Sequence, residues 1–305
     1  MGEVFELKRT DLPAIYRAAS DESGRGQRVF QVSTVIGLFL LVVAAIAGLG
    51  TVKIHSIDWA GVIAAAAFFT AIIVRTYRLI TQPDKVWYNG RAVAESGKTL
   101  GWRYAVGGEP FGINALTPPQ ADKRLAERLT EMLTDIRHLP LDPASEGAEQ
   151  ISPAMRALRA RPLEDRKATY AEGRIAAQQA WYARKAKENK RLARLWNAIL
   201  LAIEIVGGVA AILKAIGVLP LDLLGLFGTV AAAGTSWLQA KQYTALAQTY
   251  SITSYELAAI RARIADQTTE DDWARFVDEA EEAISREHML WRASHADIPT
   301  PKVEF

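Results

Sequence analysis

The sequence predicts an all-α membrane protein: two transmembrane helical hairpins, four spans in all, with cytoplasmic helical extensions. Three observations predict it. Val29–Val52 runs 24 residues without Asp, Glu, Lys or Arg, Trp59–Val74 runs 16, and Leu223–Ala240 runs 18. Helices of soluble domains keep one face in water, so charges interrupt their apolar stretches every few residues. These stretches also come in closely spaced pairs, and Lys and Arg are shared unevenly around them. The averages hide all of this, because 50% hydrophobic, 23% charged and a net charge of +2 are ordinary values.

A helix rising ~1.5 Å per residue needs roughly 20 residues to cross a ~30 Å hydrocarbon core. The first span, 31–50, reads QVSTVIGLFLLVVAAIAGLG, and the second, 59–80, carries Arg75 and Arg78 in its last turns. There both arginines can reach the interface. The eight residues Thr51–Asp58 join the two spans, with Asp58 or Ser56 placed to cap the second. The N-terminus has no apolar leader region, so the first span reads as a retained anchor. The third span, 195–217, holds Glu204 near its middle and Lys214 near its end. A turn with Pro220 follows, then Asp222 as a cap and the fourth span, 223–240. The competing reading of this second pair is a buried soluble hairpin.

Orientation follows from the cations. Of 36 Lys and Arg, only Lys53 and Lys214 lie at the loop side of the hairpins, which places both termini in the cytoplasm. Trp59 marks the outer interface, and Tyr77, Trp196 and Trp237 mark the inner one.

The extensions also read as helices. Leu12–Gln31 starts from Thr10-Asp11 with Pro13 in its first turn. Lys85–Tyr104 shows apolar residues at helical spacing and a stripe of Gly90, Gly97 and Gly101, a sign of close packing because glycine costs a helix ~1 kcal/mol. Gln120–His138 is amphipathic. Leu139–Ser152 is rich in Pro, Gly and acid and marks a linker. Pro162–Arg194 is charged and runs into the third span, the fourth runs on through Thr244–Gln267, and Asp271–Arg292 forms a last helix. The layout of helix, hairpin, helix thus occurs twice: unit 1–138, linker 139–152, unit 153–305.

Two stretches resemble a known family. Trp87-Tyr88-x-x-Arg91-Ala92-x-Ala94-Glu95-Ser96-x-Lys98-Thr99-x-x-Trp102-Arg103-Tyr104, followed by Glu109-Pro110-Phe111, resembles the segment after the membrane hairpin of SLATT proteins. Ser285-Arg286-Glu287-His288-x-x-Trp291 resembles a second SLATT subtype. The chain is thereby similar to two fused SLATT domains, two-transmembrane effectors named for association with nucleotide-synthesising and nucleotide-sensing modules. The resemblance implies a bacterial inner-membrane protein of anti-phage conflict systems that opens pores when a nucleotide signal is sensed. It assigns no ligand or pore residue.

Catalytic chemistry has little to stand on. The chain has no cysteine, which excludes disulfides, thiolate metal sites and cysteine nucleophiles. His55, His138, His288 and His295 stand in no paired-ligand spacing and have no nucleophile beside them. Gly97-Lys98-Thr99 lacks the earlier glycine of a phosphate-binding loop and follows no strand. No enzyme activity, cofactor or metal is expected. Arg286-Glu287-His288 reads as a structural polar network.

Arg91, Glu95 and Lys98 share one helix face, flanked by Trp87 and Trp102. They read either as a salt-bridged docking face or as part of an anionic-ligand or partner site. The basic run Arg184–Arg194 precedes a span and reads as an anchor on anionic lipid, with no nucleic-acid partner. An acid amid a span costs ~2.5–3.5 kcal/mol on insertion scales, so Glu204 is expected to face a bundle interior or a water path. Small residues let helices approach in lipid. Gly207, Gly208 and Ala211 on the third span, and Gly225, Gly228 and Ala232 on the fourth, are expected to pack the hairpin and a neighbouring subunit of a homo-oligomer.

The charge split makes a direct prediction. With single cysteines at Ser56, Ser145 and Thr300, only Ser56→Cys should react with an impermeant thiol reagent added to intact cells. Labelling of Ser145→Cys would overturn the orientation.

Overall fold

The computed structural model describes residues 5–135, 140–142 and 148–293, the last eight and residues 134–135 by backbone alone. Ser145, Thr300, His138, His295 and part of the expected linker (139 and 143–147) lie outside the described residues. Helix accounts for 81% of the described residues. Ten α-helices are described: α1 (Ala14–Ala47), α2 (Trp59–Thr81), α3 (Pro83–Val106), α4 (Pro118–Asp135), α5 (Pro153–Arg159), α6 (Leu163–Tyr170), α7 (Ala177–Ala215), α8 (Leu223–Lys241), α9 (Tyr243–Arg263) and α10 (Glu270–Ala293). The short helix α5 was not expected from the sequence; Ser152 caps it, accepting from the Met155 amide at 3.1 Å.

Several expected elements fuse. The first extension and the first span are one 34-residue helix, α1. The charged stretch from Leu163 runs through a π-helical segment, Ala171–Ala176, into α7 without a break. Spans two and four behave differently. Gln82 ends α2 with φ of 43°, and Gln242 ends α8 with φ of 49°. A left-handed residue interrupts the helix at both places, so α3 and α9 start anew where the sequence suggested continuation for the fourth span.

The chain forms two compact units, and each draws on both halves of the sequence. The membrane unit comprises residues 28–83 and 185–248. Its first turn tightens into a two-residue ladder, β1 (Lys53–Ile54) against β2 (Ile57–Asp58), with His55 at φ 58°. Asp58 caps α2 as expected, accepting from the Ala60 amide at 3.2 Å. Asp222 stands at the N-cap of α8; its carboxylate pairs with Lys214 at 2.8 Å, and that pair first and the Gly225 and Leu224 amides second hold it below the ordinary carboxylate value.

The exposed surface of this unit is apolar. Phe39 is 64% exposed, Phe69 65% and Ile80 76%, and α8 has no buried residue at all. A buried soluble hairpin would hide such side chains, and water does not tolerate so continuous an apolar surface. Lipid does. Thr70, Thr229 and Ser236 donate to the carbonyl four residues back, so their hydroxyls enter hydrocarbon already satisfied. Four helices are long and apolar enough to span, and the protein is a multi-pass α-helical membrane protein.

Small residues set the hairpin contacts. The buried residues of α2 are Ala60, Ala67 and Ala71, one stripe. In the second hairpin, a Cβ on Gly207 would meet the Phe227 Cβ at 2.9 Å, and one on Gly234 would collide with the Leu200 side chain. Gly234 carried no expectation from the sequence. Gly208, Gly225 and Gly228 have nothing within 4 Å of an added Cβ. Glu204 is exposed.

Two substitutions separate these roles. Gly234→Leu should force the hairpin apart and cost about 1–3 kcal/mol by overpacking, read as a lower unfolding temperature in detergent. Gly208→Leu should leave that temperature unchanged and weaken crosslinked oligomers; an unchanged oligomer distribution would remove Gly208 from the subunit contact.

Candidate functional site

The second unit, residues 1–27, 84–184 and 249–305, is a helical bundle with its own core. The glycine stripe builds one wall. An added Cβ would come within 3.0 Å of the Ser23 amide at Gly90, 3.4 Å of the Tyr16 Cβ at Gly97 and 2.8 Å of the Pro13 Cδ at Gly101. Helix α3 therefore lies backbone to backbone on α1, an approach that side chains would prevent. Ser23 Oγ fastens the contact by donating to the Trp87 carbonyl at 2.9 Å.

This close approach leaves a cavity of about 460 Å³ beside it. Trp87, Arg91, Glu95 and Lys98 of α3 line it, as do Tyr16 and Gln27 of α1. Arg174 of the π-helical segment and Gln178, Trp181 and Arg184 of α7 complete the wall. Lys98 Nζ lies 3.9 Å from Glu95 Oε2 and donates to Gln178 Oε1 at 3.4 Å. Burial lowers the Lys98 pKa to about 8, helped by the Arg174 charge, while Glu95 and Glu281 oppose the shift. The two readings of this face thus meet at one place: the ion pair exists, and it stands on the wall of a cavity.

Behind that wall lies a polar knot. Arg174 is 1% exposed and Glu281 of α10 not at all. Arg174 Nε and Nη2 donate to the two Glu281 oxygens at 2.8 and 2.7 Å, a bidentate pair. Thr99 Oγ1 donates to Glu281 at 2.8 Å and the Tyr170 hydroxyl at 3.0 Å. Burial pushes the Glu281 carboxyl up, but the Arg174 charge and the donated hydrogen bonds outweigh it and hold it below the ordinary carboxylate value. Burial also pushes the Tyr170 hydroxyl well up, so it stays protonated and able to donate.

The rest of the first motif is structural. Trp102 and Tyr104 are buried, and Trp102 meets Tyr170 edge-on at 6.0 Å. Arg103 pairs with Asp278 of α10 at 2.7 Å. The Tyr104 hydroxyl donates to Asp122 of α4. Trp273 stacks edge-on against Tyr170 at 5.6 Å and donates to the Val106 carbonyl at 2.8 Å. Arg166 donates to the same carbonyl at 2.7 Å and pairs with Glu270. Arg159 clamps the Phe111 carbonyl at 2.6 Å. Arg286, Glu287, His288 and Trp291 lie on α10, and their side chains are outside the described residues. Sequence reasoning missed Tyr170, Arg174, Trp273 and Glu281. The spacing Tyr170-x-x-x-Arg174 offered a shared helix face, but nothing in it pointed to a partner more than a hundred residues away.

Fold and site define a class: a tandem α-helical membrane protein whose spans are joined to a bundle with a cationic cavity. Comparison with family models places it further. Residues 13–167 match the SMODS and SLOG-associating 2TM effector domain 3, and residues 170–291 match the SMODS and SLOG-associating 2TM effector domain 1. The chain belongs to the SLATT family and is a membrane effector built from two such domains in tandem. No curated protein and no solved structure matches the chain.

The Arg174–Glu281 pair yields a graded prediction. Glu281→Gln should cost about 3–5 kcal/mol, because it strands a buried guanidinium. Thr99→Val should cost about 1 kcal/mol, one hydrogen bond. Glu281 sits below its ordinary value of 4.5, so its contribution is present above that pH and is lost as pH falls through the folded-state value. Unfolding of the parent chain followed in detergent should therefore steepen with acid more than that of Glu281→Gln.

Proposed function

We propose that this protein is a bacterial inner-membrane effector of an anti-phage conflict system that self-associates and permeabilises the membrane on a nucleotide-linked signal. Both termini lie in the cytoplasm, where the helical bundle receives that signal directly or from a nucleotide-sensing or nucleotide-synthesising partner chain. Its partners are the lipid bilayer, further copies of itself and that partner. The chain catalyses no reaction in this reading.

Glu204 carries the proposal. A carboxylate exposed on a spanning helix is costly against lipid. A second copy or a water path relieves that cost. Four spans of one chain do not enclose a wide lumen, so conduction requires several chains. The open faces at Gly208, Gly225 and Gly228 support the same arrangement. A ring of Glu204 carboxylates in such an assembly attracts cations and repels anions.

Ion flux into liposomes holding the purified protein tests this. Glu204→Gln should preserve expression and oligomer size and reduce cation preference. Glu204→Leu should disturb assembly only if the residue is packing glue. If Gln conducts as the parent does while Leu breaks assembly, another surface lines the pore. If the parent chain passes no ions under any condition, the chain is a non-conducting scaffold that recruits partners through its cytoplasmic helices.

A further inference from the structure

The cavity in the helical bundle has the size, charge and walls of a ligand site. Its volume of about 460 Å³ falls within the roughly 300–1,000 Å³ of small-molecule pockets. Four cationic side chains, Arg91, Lys98, Arg174 and Arg184, line it against one carboxylate, Glu95. Gathering like charges around a hollow is unfavourable, and an anion inside reverses the sign. Burial first and the Arg174 charge second hold the Lys98 pKa down to about 8.

Arg174 supplies a second, independent observation. It is 1% exposed, yet its Nη1 has no hydrogen-bond partner among the described residues. Buried polar groups are nearly always paired. Glu281 occupies the other two nitrogens, and Nη1 is a buried, unpaired donor at the back of the cavity wall. Trp87 and Trp181 add aromatic faces to the same wall, which suit a planar ring. Arg174 also sits in the π-helical segment, a distortion that concentrates at functional sites. Beyond it, the helix continues without a break into the span that bears Glu204.

We propose that this cavity binds a phosphate-bearing ligand with a planar ring, of mononucleotide size. Arg91, Lys98 and Arg184 hold the phosphate, with the buried Arg174 charge behind them, and Trp87 and Trp181 hold the ring. Occupancy biases the π-helical segment and so the helix that enters the membrane, a consequence that rests on the effector reading above. The binding site itself does not.

The test is a titration of the full chain in detergent, read by tryptophan fluorescence and calorimetry, with AMP, pyrophosphate and glycerol 3-phosphate as probes. AMP should bind saturably and more tightly than glycerol 3-phosphate, with affinity falling as salt is added. Lys98→Met and the exposed, fold-neutral Arg184→Gln should each weaken AMP about tenfold, the loss of one charge-assisted contact. Trp181→Leu should erase the preference for AMP. No saturable binding of any probe at millimolar concentration, or binding unchanged in Arg184→Gln, overturns the site. Equal affinity for AMP and glycerol 3-phosphate overturns the ring half and leaves a phosphate site that a lipid headgroup could fill. Binding without liposome flux overturns the effector reading alone, and flux without binding overturns the site alone.

Discussion

The buried pair between Arg174 and Glu281 is the constraint on which the helical bundle depends. A charge without a partner in that interior costs several kcal/mol, so neither residue can be there without the other. The pair joins a segment before the third span to the last helix, 107 residues further along the chain. Thr99 and Tyr170 complete the carboxylate's shell, which brings α3 and α6 to the same point. Four elements thus answer to one carboxylate. Such an arrangement specifies register more than it adds stability, since a well-packed apolar cluster would be at least as stable. Its value is that the elements fit in one way only.

The connections between bundle and membrane differ in kind. Helices α1 and α6–α7 cross from one compact unit to the other as unbroken rods. Helices α2 and α8 end instead at a left-handed glutamine, Gln82 or Gln242, before α3 or α9 begins. A non-glycine residue there costs about 1–2 kcal/mol, so the bend is held by the surrounding packing. Each SLATT half therefore has one connection of continuous helix and one interrupted at a left-handed residue.

The membrane class was legible because lipid imposes a length and a composition that water does not. The runs around Val29–Val52 and Leu223–Ala240 could be read without any partner in view. The glycine stripe was legible for a similar reason: Gly90, Gly97 and Gly101 are locally unfavourable, which announces a contact without naming it. The contact proved to be α1. The ion pair Glu95–Lys98 was readable from spacing alone, but its place on a cavity wall was not, because the opposite wall comes from residues 173–184. The Gly207 contact with Phe227 could be guessed from small-residue spacing, whereas Gly234 against Leu200 depends on hairpin register, which loop length does not fix. Asp222 looked like a cap and is also the partner of Lys214. Long-range polar partners such as Glu281 leave no local trace at all.

The asymmetry between the halves explains what fusion of two domains achieves. The first half supplies the glycine-packed pair α1 and α3 and hence most of the cavity wall, and its first span is free of charge from Val29 to Val52. The second half supplies Arg174 and Glu204 on one continuous stretch of helix, 30 residues apart by number. Two identical domains would place the same burden on every span. In a chain of two different domains, one half can shape the hollow while the other carries both its deepest cation and the only acid within a span. Division of labour between unlike domains is the arrangement expected if one helix reads the cavity and the others hold it in place.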